Sequence, residues 1–192
     1  MPRAADPKLP NRILDAADAL WREGADAAVT IRAVADRAAT TTPTVYAYFK
    51  DRRALVVALR ARAYHRFVAF MTKSASFRNS CERHLEFAEC HSHDYELLYG
   101  RGWLDRTLPE TQESEISQFA AVLIQNGVPE RSAMEVAFPI LMILQGLAMH
   151  RIHNRVVTPL SRRIRAASIQ ACLQLVESAQ QGKRLRATGT AK

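Results

Sequence analysis

Cysteine is scarce in this 192-residue chain. There are three, Cys81, Cys90 and Cys172, an odd number with no C-x-x-C pair, which argues against a disulfide framework and for a reduced, cytoplasmic protein. Glycine (7) and proline (8) are few as well, which excludes collagen-like, low-complexity and broadly disordered chains. Long apolar runs are missing. The most apolar stretch, Phe138 to Met149, is interrupted by Pro139, Gln145 and Gly146 and falls short of the roughly 20 residues a spanning helix needs. No membrane partner and no N-terminal targeting signal is expected. There is no nucleophile motif, no glycine-rich phosphate loop and no pair of acids spaced for catalysis, so neither an enzyme nor a cofactor is expected.

Hydrophobic residues make up 48% of the chain and charged residues 24%, enough to build a sizeable core at this length. The net charge of +8 favours polyanionic partners without naming one. It is unevenly spread: residues 1–60 carry ten basic and seven acidic side chains (+3), residues 61–159 ten and eleven (−1), and residues 160–192 seven and one (+6). Apolar residues recur at intervals of three and four throughout, so the chain is expected to be all-α.

Ile13, Leu14, Ala17, Leu20 and Trp21 form one stripe in a helix that Pro10 opens and Gly24 can close. Thr30 is a suitable N-cap for a short second helix, followed by a turn at Ala38, Ala39 and Thr40. A third helix starts at Thr41 or Thr42, with Pro43 in its first turn and Val45 and Phe49 facing inward. Asp51 can cap a longer helix with an apolar face from Leu55 to Met71. A polar stretch, Lys73 to Ser80, ends it, and shorter helices follow near 81–91 and 93–100. Thr107 and Pro109 open a further helix that Asn126-Gly127 closes. Two long helices are expected from Pro129 to about Ile152 and from Thr158-Pro159 to about 180. The expected domains are thus 1–50, a three-helix helix-turn-helix unit, and 51–180, a helical bundle whose segment 51–72 is a connecting helix. Residues 181–192, with Lys183, Arg184, Arg186 and Lys192, are expected to form a basic flexible tail whose charge would add non-specific attraction to a polyanion.

Two short helices joined by a three-residue turn describe a helix-turn-helix. The outward side of the second helix has no acid and little bulk, so it suits a major groove. Hydroxyls of Thr41, Thr42, Thr44, Tyr46 and Tyr48 are placed to reach phosphates or base edges, and Pro43 a thymine methyl. No Arg, Asn or Gln lies between Thr40 and Phe49, so bidentate base contacts are missing from the helix itself. Arg32, Lys50 and Arg52 bracket the face with positive charge.

Residues 12–59 resemble the DNA-binding domain of the tetracycline-repressor (TetR) family. The resemblance rests on Ile13-Leu14 with Ala16-Ala17, on Gly24, on Val34-Ala35, and on Thr44-Val45-Tyr46 leading to Tyr48-Phe49 and Leu55. Ala39 stands where the family usually has the turn glycine and Trp21 where it commonly has phenylalanine. The resemblance implies DNA contacts at Thr42, Pro43, Thr44, Tyr46 and Tyr48, with Arg32 and Arg52 on flanking phosphates. It also implies a homodimer through the helices near 130–152 and 159–180, where Gly146, Ala148, Ala167 and Ala171 permit close approach. The implied function is a ligand-responsive transcriptional regulator, a repressor that releases a pseudo-palindromic double-stranded DNA operator when a small hydrophobic effector binds.

The effector site is expected between helices of the second domain, drawing on Phe67, His84, Phe87, Tyr95, Trp103, Phe119, Phe138 and Met142, with His84 as the orienting polar group. Cys90, His91 and His93, and the pair His150 and His153, do not form a convincing metal site, because adjacent residues point to different faces. A second reading stays open: an all-helical dimer whose degenerate helix-turn-helix serves protein contact and no longer binds DNA.

Overall fold

A computed structural model describes residues 6–72, 74, 76–100, 109–154 and 157–188. Among these residues the chain is all-α, as expected, with nine helices and no strand. They divide into two compact units, Met1–Arg66 and Phe67–Lys192. The first unit contains α1 (Leu9–Ala28), α2 (Ile31–Arg37), α3 (Thr42–Tyr48) and most of α4 (Arg52–Met71), which runs on into the second. The second adds α5 (Phe77–Cys90), α6 (Ser92–Tyr99), α7 (Pro109–Gln125), α8 (Glu130–His153) and α9 (Pro159–Thr188).

In the first unit the expected stripes meet: Ile13, Ala17, Val34, Ala35, Val45, Leu55 and Leu59 are all buried. Regular helical geometry in α1 is lost at Gly24 (φ −148°, ψ 20°) and Ala25 (φ 52°, ψ −146°). A Cβ on Gly24 would stand 2.8 Å from that of Ala28, a close approach that only glycine allows at that position. Caps then set the short helices. Thr30 Oγ1 accepts from the Ala33 N–H at 3.2 Å, Thr41 Oγ1 from Thr44 at 3.4 Å, and Asp51 Oδ1 from Ala54 at 2.7 Å.

The α2–α3 turn is a Schellman closure. The N–H of Thr40 donates to Ala35 O at 2.9 Å, and that of Ala39 to Asp36 O at 3.2 Å. This pattern needs a left-handed residue, and Ala39 takes it, with φ 49°. The same closure ends α7, where Val128 donates to Leu123 O and Gly127 to Ile124 O, with Gly127 at φ 88°.

In the second unit α8 packs against α5, α6, α7 and α9. Eight of its side chains are buried, Ile140 and Leu144 completely. Among the described helices, α8 alone is long and apolar enough to cross a membrane by length and composition. That segment is longer than the Phe138–Met149 stretch suggests, and here it is the packed core of a bundle.

Two boundaries differ from expectation. Helix α5 begins at Phe77, within the polar stretch, because Ser76 Oγ caps it by accepting from the Asn79 N–H at 3.2 Å. Helix α9 continues to Thr188, so the backbone from Gln181 to Thr188 is helical where a flexible tail is expected. At its other end Thr158 and Ser161 cap each other: Thr158 N–H donates to Ser161 Oγ at 2.9 Å and Ser161 N–H to Thr158 Oγ1 at 3.0 Å.

A left-handed alanine costs about 1–2 kcal/mol, and glycine gives back about 0.5–1 kcal/mol of this through the entropy of the unfolded chain. Ala39→Gly should therefore raise the unfolding free energy by about 0.5–1 kcal/mol. Urea denaturation checks this, and a midpoint that stays or falls contradicts it.

Candidate nucleic-acid interface

Helix α3 turns Val45 into the core and leaves the opposite side to solvent. Pro43, Ala47, Tyr46 (53%) and Tyr48 (38%) are exposed, and Thr42 is half-buried. The helix has no acidic residue. Thr41 is exposed and Thr44 half-buried, and both are partly committed to the cap: their hydroxyls share a 2.8 Å hydrogen bond, in addition to the backbone bond Thr41 accepts. The face therefore presents two phenols, a proline ring and one uncommitted threonine side chain, Thr42.

The flanking cations divide. Arg32, in the first turn of α2, and Lys50, just after α3, are both exposed. Neither side chain meets a carboxylate among the described residues. Arg52 is occupied instead: its Nε donates to Val29 O at 2.7 Å, and one terminal nitrogen donates to both Asp26 O and Asp26 Oδ1 at 2.7 Å. These bonds tie the segment after α1 to the start of α4. Arg52, expected as a phosphate contact, thus carries a structural tie within the unit.

Other ties were not visible locally. Arg12 of α1 donates to Ala38 O at the end of α2 (3.0 Å) and to Asp6 (2.9 Å). Arg37 makes a two-pronged pair with Glu23 at 2.5 and 2.8 Å. That hydrogen bonding holds the Glu23 carboxyl below its ordinary range and the Arg37 guanidinium above its own. Arg66 reaches Asp18 and Arg62 reaches Asp15. Sequence separations this large leave no periodic signal.

Residues 13–59, from α1 into α4, match the family model of the bacterial regulatory proteins, tetR family. Over these residues the chain carries a DNA-binding domain of the TetR-family type. Solved structures are similar over nearly the whole length. A TetR-like transcriptional regulator from Rhodococcus sp. RHA1 is 18% identical with TM-score 0.63, over 94% of this chain and 100% of that one. A second Rhodococcus transcriptional regulator is 19% identical with TM-score 0.70, over 89% and 97%. A TetR from Acinetobacter baumannii AYE is 19% identical with TM-score 0.56, over 95% and 98%. At these identities the likeness is one of fold. No curated protein sequence matches the chain.

In the second unit four of the residues expected at a TetR-type effector site come together. Phe67 sets its ring edge-on to His84 at 5.3 Å and to Phe87 at 5.1 Å, and His84 Nε2 and the Tyr95 hydroxyl hydrogen-bond at 2.7 Å. Tyr99 joins them, 4.6 Å from Tyr95; its i, i+4 spacing from Tyr95 was the available signal. Two expected members stand elsewhere: Phe119 pairs with Phe77 at 6.1 Å, and Phe138 is 50% exposed, because each follows its own helix face. Met142 is half-buried on α8, and Trp103 lies outside the described residues. Cys90 is exposed, whereas His91 stacks on Phe87 at 4.8 Å.

Two outcomes follow from these contacts. Arg52→Ala should lower the unfolding free energy by about 1–2 kcal/mol, since Val29 and Asp26 lose charged donors. Thermal or urea unfolding reads this, and an unchanged midpoint returns Arg52 to the DNA-contacting set. Burial pushes the His84 pKa down to about 4 from its ordinary 6.5, so the unfolded chain binds the proton more tightly. The stability this confers is complete above about pH 6.5 and is lost as pH falls towards 4, by about 3 kcal/mol at most. The urea midpoint should fall across that window more steeply in the wild type than in His84→Gln, and equal slopes would contradict the assignment.

Proposed function

We propose that this TetR-family protein is a repressor: a homodimer whose paired helix-turn-helix units bind a pseudo-palindromic operator and release it when a small hydrophobic effector binds. The observation that carries the reading is the outward face of α3, free of acids and presenting Thr42, Pro43, Tyr46 and Tyr48, with the uncommitted cations Arg32 and Lys50 on either side. Hydroxyls and a proline ring suit phosphates and thymine methyls better than guanine edges. Much of the operator preference would then come from DNA shape and deformability.

Dimerisation is proposed through α8 and α9. Met134 (47%) and Phe138 (50%) are exposed on α8, Ala167 is exposed on α9, and a Cβ on Gly146 would meet nothing within 4 Å. These are small or apolar positions without cover from the chain itself, which supports close helix approach between copies. The effector is proposed to enter at the aromatic cluster, where the hydrogen-bonded pair His84 and Tyr95 supplies polar groups able to orient a mostly apolar molecule. Helix α4 spans both units. An effector that favours one disposition of α4 would shift the population away from the DNA-competent dimer.

A duplex from upstream of the protein's own gene should be retarded in a gel, and random duplex should compete for that complex only poorly. Failure to retard it favours the protein-contact reading instead. Arg32→Ala should leave stability within about 0.5 kcal/mol, weaken binding to every duplex, and reduce the salt slope by about 1. Gly146→Leu should fold as a subunit yet sediment as a monomer, and an intact dimer would place the interface elsewhere.

A further inference from the structure

Two of the three cysteines stand together. Cys81 of α5 and Cys172 of α9 are distant in sequence, yet both are completely buried within the one chain, and their thiols hydrogen-bond to each other where the two helices pack. Both are free thiols, with no bond between the sulfurs. Polar ties hold the same seam on either side. Arg78 donates to Gln170 Oε1 at 3.3 Å, and Arg165 to Glu89 Oε1 at 2.9 Å. With α5 and α9 fixed at these two levels, the sulfurs are kept opposite one another.

A single buried cysteine is an inert, small apolar side chain. A second thiol in direct contact changes that, because the pair has an oxidised form of its own, the disulfide, and needs no further protein group to reach it. The two members are not equivalent. The S–H of Cys81 donates to the Cys172 sulfur, which holds the Cys172 thiol below its ordinary range, whereas the same bond, together with burial, pushes the Cys81 thiol up. Cys172 is therefore the sulfur suited to attack, and Cys81 the one suited to resolve.

We propose that Cys81 and Cys172 are a reversible oxidation site, a dithiol that hydrogen peroxide converts to an intrachain disulfide between α5 and α9. The Cys172 sulfur attacks one peroxide oxygen and the O–O bond breaks. A sulfenic acid is left on Cys172, and the departing oxygen takes up the thiol proton as water. The Cys81 sulfur then attacks the Cys172 sulfur, the S–O bond breaks, and the hydroxyl leaves with the Cys81 proton as a second water. Two thiols lose two electrons and one peroxide gains them. An oxidant this small reaches a buried pair through local openings of the packed helices. The new bond closes to about 2.05 Å, so it draws α9 onto α5. The proposal does not rest on DNA binding or on dimerisation, and its test contains no DNA.

The test treats the full chain carrying Cys90→Ser, a change at an exposed position, with hydrogen peroxide, then unfolds it and alkylates it with iodoacetamide. The intact mass should show the loss of two hydrogens and no alkylation, and dithiothreitol should restore both thiols. In the wild type, trypsin parts the cysteines, because Arg78, Arg83, Arg165 and Lys183 bound segments 79–83 and 166–183. The unreduced digest of the oxidised wild type should contain these two segments joined. Under peroxide, dimedone should label the sulfenic acid of Cys172 in Cys81→Ser at least tenfold faster than that of Cys81 in Cys172→Ser. The urea midpoint should rise on oxidation, since the link restricts the unfolded chain. Two alkylatable thiols after peroxide overturn the proposal, as does oxidation to sulfinic acid without a link. A link that forms only in urea, or a midpoint that falls on oxidation, shows that the folded helices do not accommodate the bond, and either result overturns it as well. Faster labelling of Cys81 overturns the assignment of Cys172 as the attacking sulfur.

Discussion

The hydrogen bonds from Ala39 and Thr40 back to Asp36 and Ala35 set the direction in which α3 leaves α2. The rest of the exposed α3 surface depends on that direction. With residue 39 left-handed, Val45 swings onto the core containing Ile13 and Val34, and Tyr46 and Tyr48 are carried outward. Arg12 adds a third constraint by holding the Ala38 carbonyl from α1. Gly127 achieves the same closure at the end of α7 without strain, so geometry rather than residue type is the requirement. At Ala39 the surrounding packing and hydrogen bonds hold a conformation that alanine disfavours by itself.

Much of the positive charge in the first unit is engaged within the protein. In the first unit Arg12, Arg22, Arg37, Arg52, Arg62 and Arg66 all pair with acids or carbonyls. Exposed pairs of this kind contribute little stability, about 0–1 kcal/mol each. Their effect is orientation, fixing which surface of each short helix stays free. Arg32 and Lys50 meet no carboxylate among the described residues and stand beside a helix face without acids. A net charge of +8 therefore says less about the interface than the positions of two side chains do.

The second unit is organised by α8, whose apolar length is explained by neighbours on several sides. Burial there is deep enough to keep His84 neutral, and its hydrogen bond to Tyr95 makes that neutral form useful within an aromatic cluster. Where α5 and α9 meet, packing sets two buried thiols against each other instead. Both features use side chains from helices distant in sequence.

Local signals were legible wherever the governing physics is local. The stripes of α1 and α4, the caps at Thr30, Thr41, Asp51 and Thr158, and the Asn126-Gly127 stop are all read from spacing and residue type. The same applies to the helix-turn-helix and the all-α class. The Ser76 cap was missed because a polar stretch reads as loop until the helix behind it is seen. Side-chain partners across helices were not legible. Periodicity places a residue on a face but does not say which face it meets, so the bonds of Arg52 to Val29 and Asp26 and the pairing of Phe119 with Phe77 could not be read from it. Sequence alone determined the helices and the acid-free surface of α3, since these depend on residues three or four apart. Tertiary structure decided which charges are already spent, which aromatics meet, and which thiols face each other, because those depend on contacts between helices that chain order does not encode.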